Sequence, residues 1–372
     1  MRRAVILALG TALGAVLCAP AIAQTAQATK ISAPAAPAAS AAYVAPRTAF
    51  GQPDLMGFWS NSSLTPLTRP AKLKDQKAYS EAEVKALEDA VELEVVEGQA
   101  PTDPNSGAEA RQKATNERPE FAAAGGAVGG YNRFWLDPGS HVMRVNGEPR
   151  TSLLTTPNGQ FPARKPQTAA APAASRPSSA AMDYESRGQG DRCIIGFGRN
   201  GGPPMFANGF YNNNYQIVQT PEHVLIEVEM NHDTRIVRLN AKHTTSTIRP
   251  YFGDSIGWWE GDTLVVETIN LPRSQAFMGS WENLKVTERF KRVAADRLYY
   301  SFSVEDPSMW DAAWGGEYEF HPLDGHIFEY ACHEGNYALP GILAGNKFDE
   351  EAKEAKEAAD AKAKAPKGKS KN

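Results

Sequence analysis

Two carboxylates fall where a charge is least expected. In Leu284-Lys-Val-Thr-Glu-Arg-Phe290 the alternate positions are Leu284, Val286, Glu288 and Phe290. In the run from Leu298 they are Leu298, Tyr300, Phe302, Val304 and Asp306. Residues two apart on a strand share a face, so both segments place an acid on an apolar face. A charge there is costly unless it is paired. Glu288 and Asp306 are therefore either halves of structural ion pairs or members of a site doing acid/base chemistry. Glu334 follows the same pattern on a face with Phe328, Tyr330 and Cys332. The arginines that could answer these acids are Arg192, Arg235, Arg238 and Arg289, and Arg289 points to the opposite face of its strand from Glu288.

Histidine supplies a second group. His232-Asp233 and His333-Glu334, with Glu229, could contribute to a metal site or serve as hydrogen-bonded turn residues. Adjacent residues on a strand face opposite ways, so each pair could act together only in a turn. There is no His-Glu-x-x-His and no Cys-x-x-Cys, and no cofactor or metal is expected. Gly253-Asp-Ser-Ile-Gly257 has the form of a nucleophile elbow. An elbow needs a helix after the serine, and a strand hairpin follows here, so the motif reads as a glycine-bounded turn entering a strand.

Aromatic and amide residues form a third group. Phe206, Asn208, Phe210, Tyr211, Asn212, Asn213, Asn214 and Tyr215 cluster in sequence, and Trp258, Trp259, Trp310 and Trp314 lie further on. They could line a pocket for an aromatic or sugar-like ligand, or be a loop plus ordinary core. The expected acid/base set is thus Glu288, Asp306, Glu229, His232, Arg235 and Glu334. The expected ligand-contacting set is Tyr211, Asn213, Tyr215, Trp259, Trp310 and Trp314.

Strands must position these residues. Tyr215–Thr220, His223–Met230 and Thr234–Leu239 alternate in polarity, with a turn at Asn231-His232-Asp233. Trp258–Thr268 is a hairpin about Glu260-Gly261-Asp262. Val293–Arg297 turns between the two strands carrying Glu288 and Asp306, and Glu317–Phe320 with His326–Cys332 reads as a last hairpin. One helix is expected after Ser80 as N-cap, with Val84, Leu87, Val91 and Leu93 as its apolar stripe. Consecutive strands without crossover helices make an antiparallel meander, which closes into a barrel or folds into a sandwich. Gly57-Phe58-Trp59 resembles the Gly-x-Trp opening of lipocalin-type (calycin) barrels, so a mainly β, lipocalin-like barrel with one N-terminal helix and long loops is expected.

The N-terminus reads as a secretory signal: Met1-Arg2-Arg3, an apolar run from Ala4 to Cys18, and Ala21-Ile22-Ala23 before Gln24. Leu17 before Cys18 is not the small residue that a lipidation motif wants. Cleavage after Ala23 would remove two arginines and no acids, taking the formal net charge from −4 to −6. That argues against a nucleic-acid partner. No later run is long and apolar enough for an integral membrane segment, so a small-molecule ligand is the expected partner. Cys193 and Cys332 remain, either as one disulfide in an oxidising compartment or as two buried thiols. Residues 24–48 read as a disordered Ala/Pro linker, 49–345 as one domain with a flexible insert at about 160–190, and 346–372 as a charged, disordered or part-helical tail.

Several segments together resemble a family of secreted bacterial proteins. They are Pro53–Trp59, Phe134–Asp137, Arg150–Leu154, Arg192-Cys193, Tyr211–Val218, Glu229–Arg235, Gly253–Val266, Thr287–Phe290, Asp306-Pro307 and Tyr330–Asn336. The likeness departs at Ile256-Gly-Trp258, where an Arg-Gly-Arg-like step is usual, and at Asn240-Ala-Lys-His, which lacks the usual Asp-Gly-Arg turn. It implies a domain spanning about residues 53–345 and no mechanism. Three functions stay open: general acid/base catalysis on a small, partly apolar or aromatic molecule, as by an isomerase, lyase or hydrolase; non-catalytic carriage of such a molecule; or a structural role at the envelope. Convergence of two or more of the candidate charged residues in one pocket would favour the first.

Overall fold

The structure is a computed structural model. It describes residues 43–98, 139–166, 184–196, 201–206, 212, 214–245 and 247–364. The expected signal segment and most of the linker, together with Tyr211 and Asn213, lie outside the described residues.

Nine strands close into a barrel: β1 (Gly57–Ser60), β4 (Asn214–Gln219), β5 (His223–Val228), β6 (Asp233–Leu239), β7 (Asp254–Glu260), β8 (Thr263–Ile269), β9 (Lys285–Ala294), β10 (Arg297–Glu305) and β11 (Trp314–Pro322). Two further strands, β2 (Arg144–Val145) and β3 (Glu148–Pro149), form a separate hairpin. Strand β1, opened by the Gly-x-Trp segment, is the closing stave. It pairs with β4 on one side and β11 on the other. Trp59 is buried, its indole N–H donates to the Leu55 carbonyl at 3.1 Å, and the Arg292 guanidinium lies 5.5 Å from the ring centroid.

The wall is antiparallel except between β6 and β7, which run parallel with Val237 opposite Ser255. This departs from the uninterrupted meander expected from the sequence. The chain between them must cross back, and Asp254 pins that crossover by accepting from Thr244 N–H at 2.7 Å and Arg238 at 2.6 Å. His243 adds a contact at 3.1 Å to Asp254 and reaches Glu267 at 3.2 Å with its other ring nitrogen. A Cβ on Gly257 would come 2.8 Å from Val237 Cγ1, so the close approach of β6 and β7 requires glycine there. The second glycine of the elbow-like motif therefore serves packing. Ser255 hydrogen-bonds Thr268 across the β7–β8 pair at 2.8 Å, and a strand, not a helix, carries it.

Alternation is clean on β4, β5 and β6, where one face is buried. On β10 and β11 both faces are buried. The reason lies outside the barrel, where β2–β3 and the following segment cover β11. Leu154 bridges Gly316, Glu317 N–H donates to the Leu153 carbonyl, and Asn146 N–H donates to Glu319. Tyr299 and Arg150 then satisfy Glu317 beneath this cover.

The helix α1 (Glu81–Gly98) starts as expected. Ser80 and Glu83 form a reciprocal cap, with Ser80 N–H donating to Glu83 at 2.7 Å and Glu83 N–H to the Ser80 hydroxyl at 3.3 Å. A second helix, α2 (Ala338–Lys364), occupies the tail. No helix among the described residues is long and apolar enough to cross a membrane.

The expected hairpin at His326–Cys332 is absent. Strand β11 ends at Pro322 and the chain continues without strand structure. Alternation therefore has no meaning there, and Phe328 and Glu334 are both exposed. This segment is tied down in other ways: by the Cys193–Cys332 disulfide, with Cα atoms 5.6 Å apart, and by two side chains described next.

Candidate functional site

Glu288 on β9 and Arg235 on β6 meet inside the barrel. In sheet order β7 and β8 stand between their strands, so the contact spans the lumen and does not run along the wall. The pair is bidentate: Arg235 Nη1 lies against Glu288 Oε2, and Nη2 donates to Oε1 at 3.0 Å. Both side chains are fully buried, at 1% and 0% exposure. Burial works to lower the Arg235 pKa, but the charge and hydrogen bonds of Glu288 outweigh it and hold the guanidinium above its ordinary value.

Three tyrosines and an asparagine complete this polar interior. Tyr300 donates its hydroxyl to Glu288 Oε1 at 2.8 Å. Its ring lies 4.8 Å from that of Tyr318, its cross-strand neighbour on β11, tilted by 47°. Asn61, just past β1, donates to the Tyr318 hydroxyl at 3.2 Å and the Tyr215 hydroxyl at 3.4 Å. Burial first raises the pKa of each tyrosine well above the phenol range, and Glu288 adds to it at Tyr300. The hydroxyls therefore stay neutral donors.

A piece of chain outside the wall enters this interior. Gly201–Phe206 is buried through Met205, and Met205 is fully enclosed. Met205 N–H donates to the Tyr300 hydroxyl at 2.9 Å, and the Met205 carbonyl accepts from Tyr318 at 2.7 Å. Phe206 joins an aromatic cluster with Phe277 at 5.6 Å and Phe302 at 5.3 Å, which continues to Trp314 and Trp310. Four buried polar atoms of these residues have no partner among the described residues: Arg235 Nε, Asn61 Oδ1 and the indole nitrogens of Trp310 and Trp314.

At the start of β6, two residues before Arg235, Asp233 lies against Gly201. A Cβ on Gly201 would be 2.9 Å from that of Asp233. Burial pushes the Asp233 carboxyl up to about 7.

The other sequence candidates go elsewhere. Asp306 is buried as expected, but it closes a turn. It accepts from the Ser280 hydroxyl and from the Ser308 N–H and hydroxyl, while its carbonyl accepts from Met309 and Trp310. Glu229 accepts from Asn214 at 2.6 Å and Phe328 N–H at 2.8 Å, and His232 accepts from Tyr330 N–H at 3.0 Å. These two clamp the 326–332 segment onto the barrel, alongside the disulfide. Glu334, two residues beyond this segment, is exposed and lines two surface clefts of about 360 and 290 Å³ that flank the disulfide. Arg289 bonds Glu260 on the outer surface, in keeping with its opposite facing. Among the described residues, no three His, Cys, Asp or Glu side chains are grouped to hold a metal. Trp310, Trp314 and Tyr215 are core residues at the lumen, and Trp259 is partly buried.

Of the charged candidates, then, the structure brings Arg235 and Glu288 together in the lumen, gathers Glu229, His232 and Glu334 about the segment beside the disulfide, and sets Asp306 apart. Tyr300 was visible on the apolar face carrying Asp306. Tyr318, Asn61 and Met205 carry no signal in spacing or type, because each is placed by long-range pairing.

No family model and no curated protein matches the chain. A crystal structure of a mutant of the fluorescent protein UnaG matches with 12% identity over 30% of this chain and 72% of its own, at a TM-score of 0.20. A likeness that slight says nothing about function.

Proposed function

We propose that this chain is a secreted or periplasmic, non-catalytic carrier that binds a small, partly apolar molecule in the lumen of its barrel. The observation that carries this reading is the polar group at the centre of an aromatic interior. Tyr300 and Tyr318 present a hydroxyl acceptor and a hydroxyl donor side by side, and they hold one small polar unit, that of Met205. A few convergent polar groups in an otherwise apolar enclosure are what a small-molecule site requires. The Arg235–Glu288 strut fixes Tyr300 in place.

The acid/base alternative has less support: Arg235 and Glu288 converge, but as a closed, fully buried ion pair and not around an open pocket. Glu288 is held by Arg235 and Tyr300, and Asp306 by two serines. Neither acid faces a second acid or a base across an open space where a substrate atom could sit. Secretion rests on the Ala-x-Ala segment ending at Ala23 and on the single disulfide, which suits an oxidising compartment.

The test is titration of the full-length, disulfide-intact protein with the apolar fluorophore anilinonaphthalenesulfonate. Saturable enhancement that falls in Tyr318→Phe is expected. Absence of saturable binding to the folded wild type would overturn the reading.

A further inference from the structure

The segment Gly201–Phe206 sits in the lumen more as a ligand does than as wall does. It belongs to no strand, yet its first five residues are buried. Its fit is close at both ends. Gly201 and Gly202 pack where a Cβ would come within 3.2 Å of Val228 and 3.1 Å of Phe252, and Phe206 slots between Phe277 and Phe302. Its two polar contacts with the barrel tyrosines use the N–H and the C=O of a single residue, Met205. That donor and acceptor are separated by one carbon, and the nitrogen is acylated by Pro204. In the same polar group, joined to Tyr300 through Glu288 and to Tyr318 directly, Arg235 Nε and Asn61 Oδ1 are buried without partners among the described residues. A larger or more polar occupant has groups left to engage.

Resting on the carrier reading above, we propose that Gly201–Phe206 is a built-in competitor for the lumen site, and that the true ligand is an N-acylated α-amino acid or short peptide with an apolar side chain. Such a molecule offers Tyr300 the same amide N–H and Tyr318 the same carbonyl. Its apolar side chain takes the enclosed position of Met205. It binds by displacing the segment, so its apparent affinity is the intrinsic one reduced by the fraction of molecules with the segment out.

The test uses two probes on the full-length, disulfide-intact protein: N-acetylmethionine amide and the acetylated, amidated hexapeptide Gly-Gly-Pro-Pro-Met-Phe. Met205→Gly removes the enclosed side chain and weakens the competitor; Met205→Ala replaces it should the glycine variant not fold. Both probes are expected to bind the variant about tenfold or more tightly than the wild type, and adding Tyr318→Phe is expected to abolish the gain. Equal affinity for wild type and variant would overturn competition by the segment. Failure of both amide probes on a variant that still binds anilinonaphthalenesulfonate would overturn the ligand class alone. Loss of all three would instead sink the carrier reading itself.

Discussion

Arg235 and Glu288 join strands that are not neighbours, so their ion pair braces the barrel through its centre. Removing one partner strands the other charge in a dry interior. Glu288→Gln should therefore cost about 3–5 kcal/mol in urea unfolding. Replacing both, as Arg235→Met with Glu288→Leu, should cost less than either single change. A double variant as unstable as the sum of the singles would show that the charges themselves, and not their pairing, are needed.

Asp306 should behave differently although it looks the same in sequence. Its partners are hydroxyls and a backbone N–H at a turn. Asp306→Asn keeps an acceptor and should cost about 1–2 kcal/mol. It should leave fluorophore binding unchanged, since Asp306 does not touch the lumen polar group. A binding loss matching that of Tyr318→Phe would place Asp306 in the site after all.

The disulfide closes a separation of 139 residues and holds the 326–332 segment with Glu229 and His232. Reduction, or Cys193→Ser with Cys332→Ser, should lower stability by about 4–5 kcal/mol on the loop-entropy model. An unchanged melting midpoint after complete reduction would contradict this.

Asp233 contributes to the pH dependence of stability. Burial raises its folded pKa to about 7, above the unfolded value near 3.8. The folded state thus holds the proton more tightly, and stability from this group is full below the unfolded value. It should be lost progressively as pH rises from about 4 to about 7. Because Asp233 is only partly buried, about 1–2 kcal/mol is expected after solvent screening. Asp233→Asn should flatten that slope in melts taken across the interval. A slope that persists in the variant would assign it to other groups.

Much of the fold is legible in the residues themselves. The reciprocal cap at Ser80 and Glu83, the turns at Gly261 and Ala295-Asp296, and the alternation on β4 to β6 are local, and each falls where spacing puts it. The parallel β6–β7 pair is not local. It depends on a return path held by Asp254, whose partners Arg238 and His243 become neighbours only after folding. The His326–Cys332 alternation misled because a disulfide and two side-chain clamps, not a strand ladder, hold that segment. In the site, Glu288 was conspicuous because burial of a charge leaves a mark on strand pattern. Met205 was not, since an apolar residue between proline and phenylalanine looks the same in a loop as in a lumen.

The most direct measurement is amide hydrogen exchange at Met205 in the full-length protein, with and without saturating anilinonaphthalenesulfonate. Slow exchange in the unliganded protein is expected, because the amide is buried and bonded to Tyr300. Faster exchange is expected once the fluorophore takes the lumen. A Met205 amide that exchanges at the same rate with the fluorophore bound would contradict a lumen site shared between ligand and chain.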